Sequence, residues 1–316
     1  MKLAFGIPNL MQVKAITKPW ETRVTGAEMV KLARWADQLG YEMICVPEHF
    51  IIPREHVELS GAHHVAAHPT MGFFAGATER IKVNSCIALL PLQHPVVTAK
   101  NLSTIDWLSG GRAMITFASG WCKGEYDAMG VPFHERGAMA DEYIAAIIEL
   151  WTKESPEFAG KYVNFRDVAF EPKCVQRPHL PVWFGGEAKP VLRRVARHAS
   201  GWWPAQIKPD DIPTSIDYIK SQPDYGGQLT DVFFWRGQPA RWQGPRPVGK
   251  RACPRRAEQA GDHRPARLAE TAGRDDELRP GSGHRRRQPI LRLRPVGGRG
   301  DHARCGVRIV TLRAFF

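Results

Sequence analysis

The apolar positions of the first 230 residues fall into short, nearly continuous runs that alternate with stretches of helical period. Residues 3–7 form such a run, closed by Pro8, and predict a buried strand. Thr25 with Glu28 three residues on makes a capping box, and Met29, Leu32, Ala33, Ala36 and Leu39 follow at i, i+3, i+4 spacing until Gly40. Further strands are predicted at 41–46, 81–89, 113–118, 181–184, 201–203 and 229–234. Helices are predicted at 70–78, 94–108, 141–151, 189–198 and 212–219, and 157–170 alternates like an inserted hairpin. Strand–helix alternation with apolar strands means a parallel sheet covered by helices. No G-x-G-x-x-G follows the first strand, so a TIM (β/α)8 barrel is preferred to a doubly wound sheet.

The count stops at seven, and composition changes at the same place. Residues 1–230 carry 24 basic and 24 acidic residues, whereas 231–316 carry 20 and 8 and so account for the whole net charge of +12. Of those 20 basic residues 19 are arginine, beside 11 Gly and 8 Pro, with 290–293 and 307–312 as the only apolar islands. The expectation is a barrel domain at 1–234, incomplete after strand seven, and a disordered Arg-rich C-terminal tail at 235–316. So abrupt a shift to Arg, Gly, Pro and Ala resembles GC-rich DNA read out of frame, a frameshift product. The alternative is a genuine basic tail, in which Arg285, Arg286 and Arg287 would bind nucleic acid through phosphate charge.

The other bounds are brief. The apolar run 81–92 is too short and interrupted to span a bilayer, and residues 1–10 lack a signal-peptide pattern, so a cytoplasmic protein is expected. Six scattered cysteines without a C-x-x-C pair read as free thiols in a reduced compartment.

A barrel places its chemistry at the C-terminal ends of its strands. Glu48 and His49 end the second strand, where a histidine can exchange a proton with a bound group or simply satisfy a backbone carbonyl. Gly185-Gly186 stands between a strand and a helix, either as an anion cradle or as a tight turn. His63, His64 and His68 lack an acidic third ligand, so no metal site is expected. Trp202 and Trp203 read first as core, and Arg193, Arg194 and Arg197 as a solvated helix face.

Five ordered segments carry a resemblance. They are Leu-Pro-Leu-Gln-His-Pro-Val-Val (90–97), Leu-Ser-Gly-Gly-Arg (108–112), the stretch 120–137 from Gly-Trp-Cys-Lys-Gly-Glu-Tyr to His-Glu-Arg-Gly, 171–186 ending in Trp-Phe-Gly-Gly, and Gly-Trp-Trp-Pro (201–204). Together they resemble the bacterial-luciferase-like flavin and deazaflavin oxidoreductases, over 1–234 only. The resemblance implies an oxidoreductase or monooxygenase holding coenzyme F420, a deazaflavin, or alternatively FMN across the barrel mouth. It implies that Leu89, Leu90 and Pro91 match the kinked end of strand three under the ring. Ser119 and Gly120 match the turn beside it, and Phe184, Gly185 and Gly186 the phosphate cradle. It makes His49 the proton partner, with Glu48 tuning it by charge. Trp121 stands where sugar-phosphate dehydrogenases of this kind carry an acid, so Phe50, Trp121 and Trp203 are expected to wall a small apolar organic substrate. A homodimer is expected by resemblance alone. The competing reading is an inactive barrel fragment with a polyanion-binding tail.

Overall fold

The computed structural model describes residues 2–204, 207–235 and 308–313. In chain order the elements are β1 (Lys2–Gly6), α1 (Gly26–Gln38), β2 (Met43–Val46), α2 (Val57–Ser60), α3 (Ala67–Ala77), β3 (Lys82–Leu89), α4 (Pro95–Leu108), β4 (Ala113–Ala118) and α5 (Lys123–Ala128). They continue with α6 (Arg136–Thr152), the hairpin β5 (Phe158–Ala159) and β6 (Asn164–Phe165), β7 (Val182–Gly185), α7 (Lys189–His198), β8 (Gly201–Trp203), α8 (Ile212–Lys220), β9 (Asp231–Trp235) and β10 (Arg308–Arg313). The barrel runs β1-β2-β3-β4-β7-β8-β9-β10 and closes on β1, every pair parallel. Among the described residues no helix is long and apolar enough to cross a membrane.

The expected barrel is present, and the gap expected after its seventh strand is filled. Arg308–Arg313 pairs with β9 from Arg308↔Asp231 to Leu312↔Trp235 and with β1 from Lys2↔Val310 to Phe5↔Arg313. Its sequence explains the placement: the β-branched and apolar run Ile309-Val310-Thr311-Leu312 suits a strand flanked on both edges, and the arginines sit at its ends. The rest of the expected tail, 236–307 and 314–316, lies outside the described residues, and so does the arginine triplet at 285–287.

Two apolar layers build the fold. Ala4, Met43, Cys45, Met114, Trp183, Trp203 and Phe233 fill the barrel, while a larger cluster packs the outward strand faces against the helices. The alternation along β7 shows the sorting: Val182 and Phe184 face the helices, and Trp183 faces inward. Helix α1 begins with the capping box at Thr25. The Leu-Ser-Gly-Gly-Arg segment is structural: Arg112 reaches the carbonyls of Ala75, Ile81 and Ser109, and buried Asp106 accepts from the amides of Val175 and Gln176. Arg194 corrects the expected solvated face. It is buried and binds Asp141 and the Gly137 carbonyl, tying α7 to α6, while Arg197 pairs with Asp224 at the surface.

Two histidines make this packing sensitive to acid. Burial pulls His68 and His198 down to about 4. Above pH 6.5 both are neutral, folded or unfolded. Between pH 6.5 and 4 the unfolded chain binds protons that the folded chain refuses, so stability falls as pH falls. Each group contributes at most about 3 kcal/mol, His198 less because it is less buried. Urea unfolding at pH 7 and pH 4.5 should show the loss, and His68→Leu should remove a large part of it.

Candidate active site

The strand ends place two side-chain groupings at the barrel mouth. The first is organised by Glu125 in the first turn of α5, whose side chain is 1% exposed. Its Oε2 lies 2.9 Å from His49 Nδ1, and its Oε1 accepts from the Phe50 amide at 2.7 Å and the Ile51 amide at 3.5 Å. A carboxylate accepts only, so the Nδ1–H of His49 donates to it, and Nε2 is the acceptor nitrogen of the neutral ring. Trp121 meets His49 edge-on at 6.1 Å between centroids and His56 at 5.1 Å, and His64 meets His49 at 4.8 Å.

The hydrogen-bond partner of His49 is thus Glu125, not the adjacent Glu48. The buried Glu48 carboxylate turns instead toward the Ala67 amide at 3.1 Å, the Leu89 amide at 3.1 Å and the Gln93 side chain. Burial pushes its carboxyl above the usual range, the two amides pull it back, and the Glu125 charge adds to the rise. Glu48 thus joins the end of β2 to the start of α3 and the end of β3. Glu48→Ala should cost about 2–4 kcal/mol in urea unfolding, because two buried donors lose their acceptor, and Glu48→Gln should cost less.

The second grouping lines a cavity of about 470 Å3 that runs from the barrel interior beneath the segment after β1. Cys45, Pro47, Cys86, Trp203 and Phe233 wall its inner end. The Trp203 Nε1–H is buried there without a hydrogen-bond partner among the described residues. His49 and Trp121 do not line this cavity.

The other expected residues divide between the groupings and the core. Leu89 and Gly120 are neighbours: a Cβ on Gly120, which has φ +68°, would lie 3.3 Å from Leu89 Cδ2 and from Tyr126. The Ser119 carbonyl accepts from the Tyr126 hydroxyl. Leu90 and Pro91 are buried, and Leu90 packs in the outer core. The irregularity of β3 lies earlier than expected, as a register shift between Cys86 and Ala88 beside the cis Cys86–Ile87 peptide. Phe184 faces the helices and packs on Phe117, so its ring does not reach the mouth. The Gly186 amide is already given to the Trp203 carbonyl, which removes one donor from the expected phosphate cradle. Gly185 allows close approach, since a Cβ there would fall 2.7 Å from Ile87 Cδ1. Phe50 is 37% exposed. Trp203 meets Phe233, so the expected three-residue wall is split, with Trp121 in the His49 grouping. His63, His64 and His68 disperse to the Asn9 carbonyl, the Ser60 carbonyl and Asn101.

Glu125 was not singled out by sequence reasoning. Its signal was its place within the 120–137 segment, just after a strand end.

Comparison with known proteins places the chain in a family and a fold. The sequence profile of luciferase-like monooxygenases matches residues 9–225. An FMNH2-dependent dimethylsulfone monooxygenase of Pseudomonas putida is 30% identical over 236 residues, 71% of this chain and 59% of that one, so the chain spans less than two thirds of that relative. Among solved structures, a monooxygenase from Streptomyces bottropensis superimposes with TM-score 0.62 at 21% identity, covering 74% of this chain and 70% of that one. The coenzyme F420-dependent tetrahydromethanopterin reductase of Methanopyrus kandleri gives 0.57 at 19%, covering 74% and 67%. At those identities the structures establish the shared fold.

Proposed function

The chain belongs to the luciferase-like monooxygenase family, and from that premise we propose that it is an oxidoreductase acting on a small apolar organic substrate, with F420 as the cofactor and FMN as the alternative. The observation that carries this reading is the buried Glu125 carboxylate holding His49 at the mouth of the barrel.

The residues present fit a flat heteroaromatic ring. A cavity of about 470 Å3 is within the range of small-ligand sites, its inner walls are apolar, and the orphaned Trp203 Nε1–H supplies a donor for a ring acceptor. Cys86, Trp203 and Pro47 would hold the ring. Phosphate binding would need donors other than the Gly186 amide. When bound, either cofactor supplies the redox chemistry of the reaction. The chain's own part is to exclude water with its apolar walls and to hold or move a proton at His49 Nε2, with Glu125 fixing the ring and its tautomer. Trp121 beside His49 favours an apolar or aromatic substrate over a sugar phosphate.

The test is titration of the purified chain with F420 and with FMN, followed by turnover of a panel of apolar and sugar-phosphate substrates. Saturable binding of one cofactor and turnover confined to apolar substrates is the expected result. Turnover of sugar phosphates alone would refute the substrate reading, and no saturable binding of either would refute the enzyme reading. The excess of basic residues in 231–316 favours one second reading, polyanion binding by that segment. Salt-sensitive RNA binding without cofactor binding would support it. Resequencing the gene across the codons for 226–242 tests the proposal that the segment is a frameshift product.

A further inference from the structure

His64 stands beside His49, its ring 4.8 Å away between centroids and turned by 75°. The segment after β1 seats it there. The Gln12 amide donates to the His63 carbonyl at 3.0 Å and the Val65 amide to the Leu10 carbonyl at 3.1 Å, so Met11 and His64 face each other across an antiparallel bridge. The His63 ring donates to the Asn9 carbonyl at 3.0 Å, and the Asn9 side chain donates to the Val24 carbonyl at 2.9 Å. Gly61 lets the two segments cross: it has φ +70°, and a Cβ there would fall 1.7 Å from the Gln12 carbonyl oxygen. Asn9, Leu10, Met11, Ile16 and Trp20 line the cavity. One stretch of chain therefore walls the cavity and holds His64.

We propose that His64 is a positioning residue for His49, seated by the segment that walls the cavity. Its own nitrogens keep it neutral. A carbonyl only accepts, so the Nε2–H of His64 donates to Ser60 at 2.9 Å and Nδ1 carries no proton. That Nδ1 is buried with no hydrogen-bond partner among the described residues, and a proton placed on it would meet no acceptor among them. Burial lowers His64 below the usual histidine value. The Ser60 carbonyl and Glu125 oppose that shift, and His49 and His63 add to it. His64 thus leaves the proton to His49 and acts on it through shape. The Glu125 hydrogen bond fixes only Nδ1 of His49, and an imidazole held at one atom still pivots about that bond. His64 at 75° and Trp121 at 81° stand across the pivot, with His64 the nearer at 4.8 Å against 6.1 Å. With the pivot closed, His49 Nε2 keeps one direction, as proton transfer to a bound group requires. That use of the placement rests on the oxidoreductase reading, whereas the placement itself does not.

The test is exchange of the His49 Nδ1 proton with water, read by NMR on the full chain carrying isotope-labelled histidine and identified by its loss in His49→Ala. His64→Ala should speed this exchange about tenfold, the size of an aromatic edge-to-face contact, while amide exchange in β4 stays unchanged. His64→Phe keeps a flat ring and should return the rate to within about threefold of wild type. Gly61→Ala touches neither ring and should act like His64→Ala, by forcing the Gln12 carbonyl and the 61–65 segment apart. If Gly61→Ala does not fold, the two His64 variants decide alone. Unchanged exchange in His64→Ala would overturn the proposal, as would a wild type without a protected Nδ1 proton. An equal rise in the β4 amides, which marks a general loss of stability, or no recovery with His64→Phe would do the same. Wild-type exchange in folded Gly61→Ala would overturn the seating. No cofactor or substrate enters the measurement, so its failure is separable from failure of the oxidoreductase reading.

Discussion

Glu125→Ala is expected to lower turnover about 100-fold while changing cofactor affinity less than about threefold. The lower end of what a positioned general acid or base contributes is about that size. Glu125 sits 76 residues from His49 in sequence, is fully buried, and spends one oxygen on the imidazole and the other on the Phe50 amide. Removing it frees the ring to turn and leaves a backbone donor without its acceptor. Glu125→Gln keeps an acceptor for Phe50 but offers His49 a carboxamide, so it should fold normally and still lose most of the turnover. The discriminating measurement is a double-mutant cycle with His49→Ala. If Glu125 is a positioning residue acting through His49, adding Glu125→Gln to His49→Ala should cost little further activity. Full additivity of the two losses would show that Glu125 acts on the fold alone.

Gly201→Ala is expected to cost about 3 kcal/mol, the upper end of the usual range for an overpacked core, because the added methyl meets a buried indole. Gly201 opposes Trp183 in the β7–β8 register. A Cβ at Gly201 would fall 2.2 Å from both Cε2 and Nε1 of the Trp183 indole and 2.4 Å from Cδ1. The indole cannot retreat, since it is buried among Met43, Met114, Trp203 and Phe233. Urea unfolding would measure the loss. Trp183→Leu, introduced into the Gly201→Ala chain, should recover part of it by vacating the contested space. If the double variant is no more stable than Gly201→Ala alone, the clash is not the cause.

Much of this architecture was legible because buried parallel strands write themselves as short apolar runs. The runs at 113–118 and 201–203 coincide with β4 and β8 residue for residue, and the helix predicted at 189–198 is α7. The apolar island at 307–312 is too short and too closely flanked by arginines to declare itself a strand, and its pairing with β1 and β9 makes it β10. The site was legible in position more than in partnership. Strand ends located His49 and Trp121, but adjacency in sequence suggested Glu48 as the carboxylate partner, whereas Glu48 gives its oxygens to the Ala67 and Leu89 amides. Glu125 lies on a six-residue helix too short and polar to show a period, and its meeting with His49 depends on β2 and β4 standing on either side of β3 in the barrel. Phe184 and Leu90 were assigned to the site through their motifs, yet strand alternation turns Phe184 toward the helices and Leu90 packs in the same outer layer.

The pairing of Lys2 with Val310 has a consequence during synthesis. β1 is made roughly 300 residues before the strand that covers its second edge, which at 5–20 residues per second is about 15–60 s. For most of that time the nascent sheet grows strand by strand with β1 open on one side, a template for pairing with other chains. Ribosome-bound chains stalled before residue 308 should therefore recruit holdase chaperones, and chains extended well past residue 313 should dismiss them.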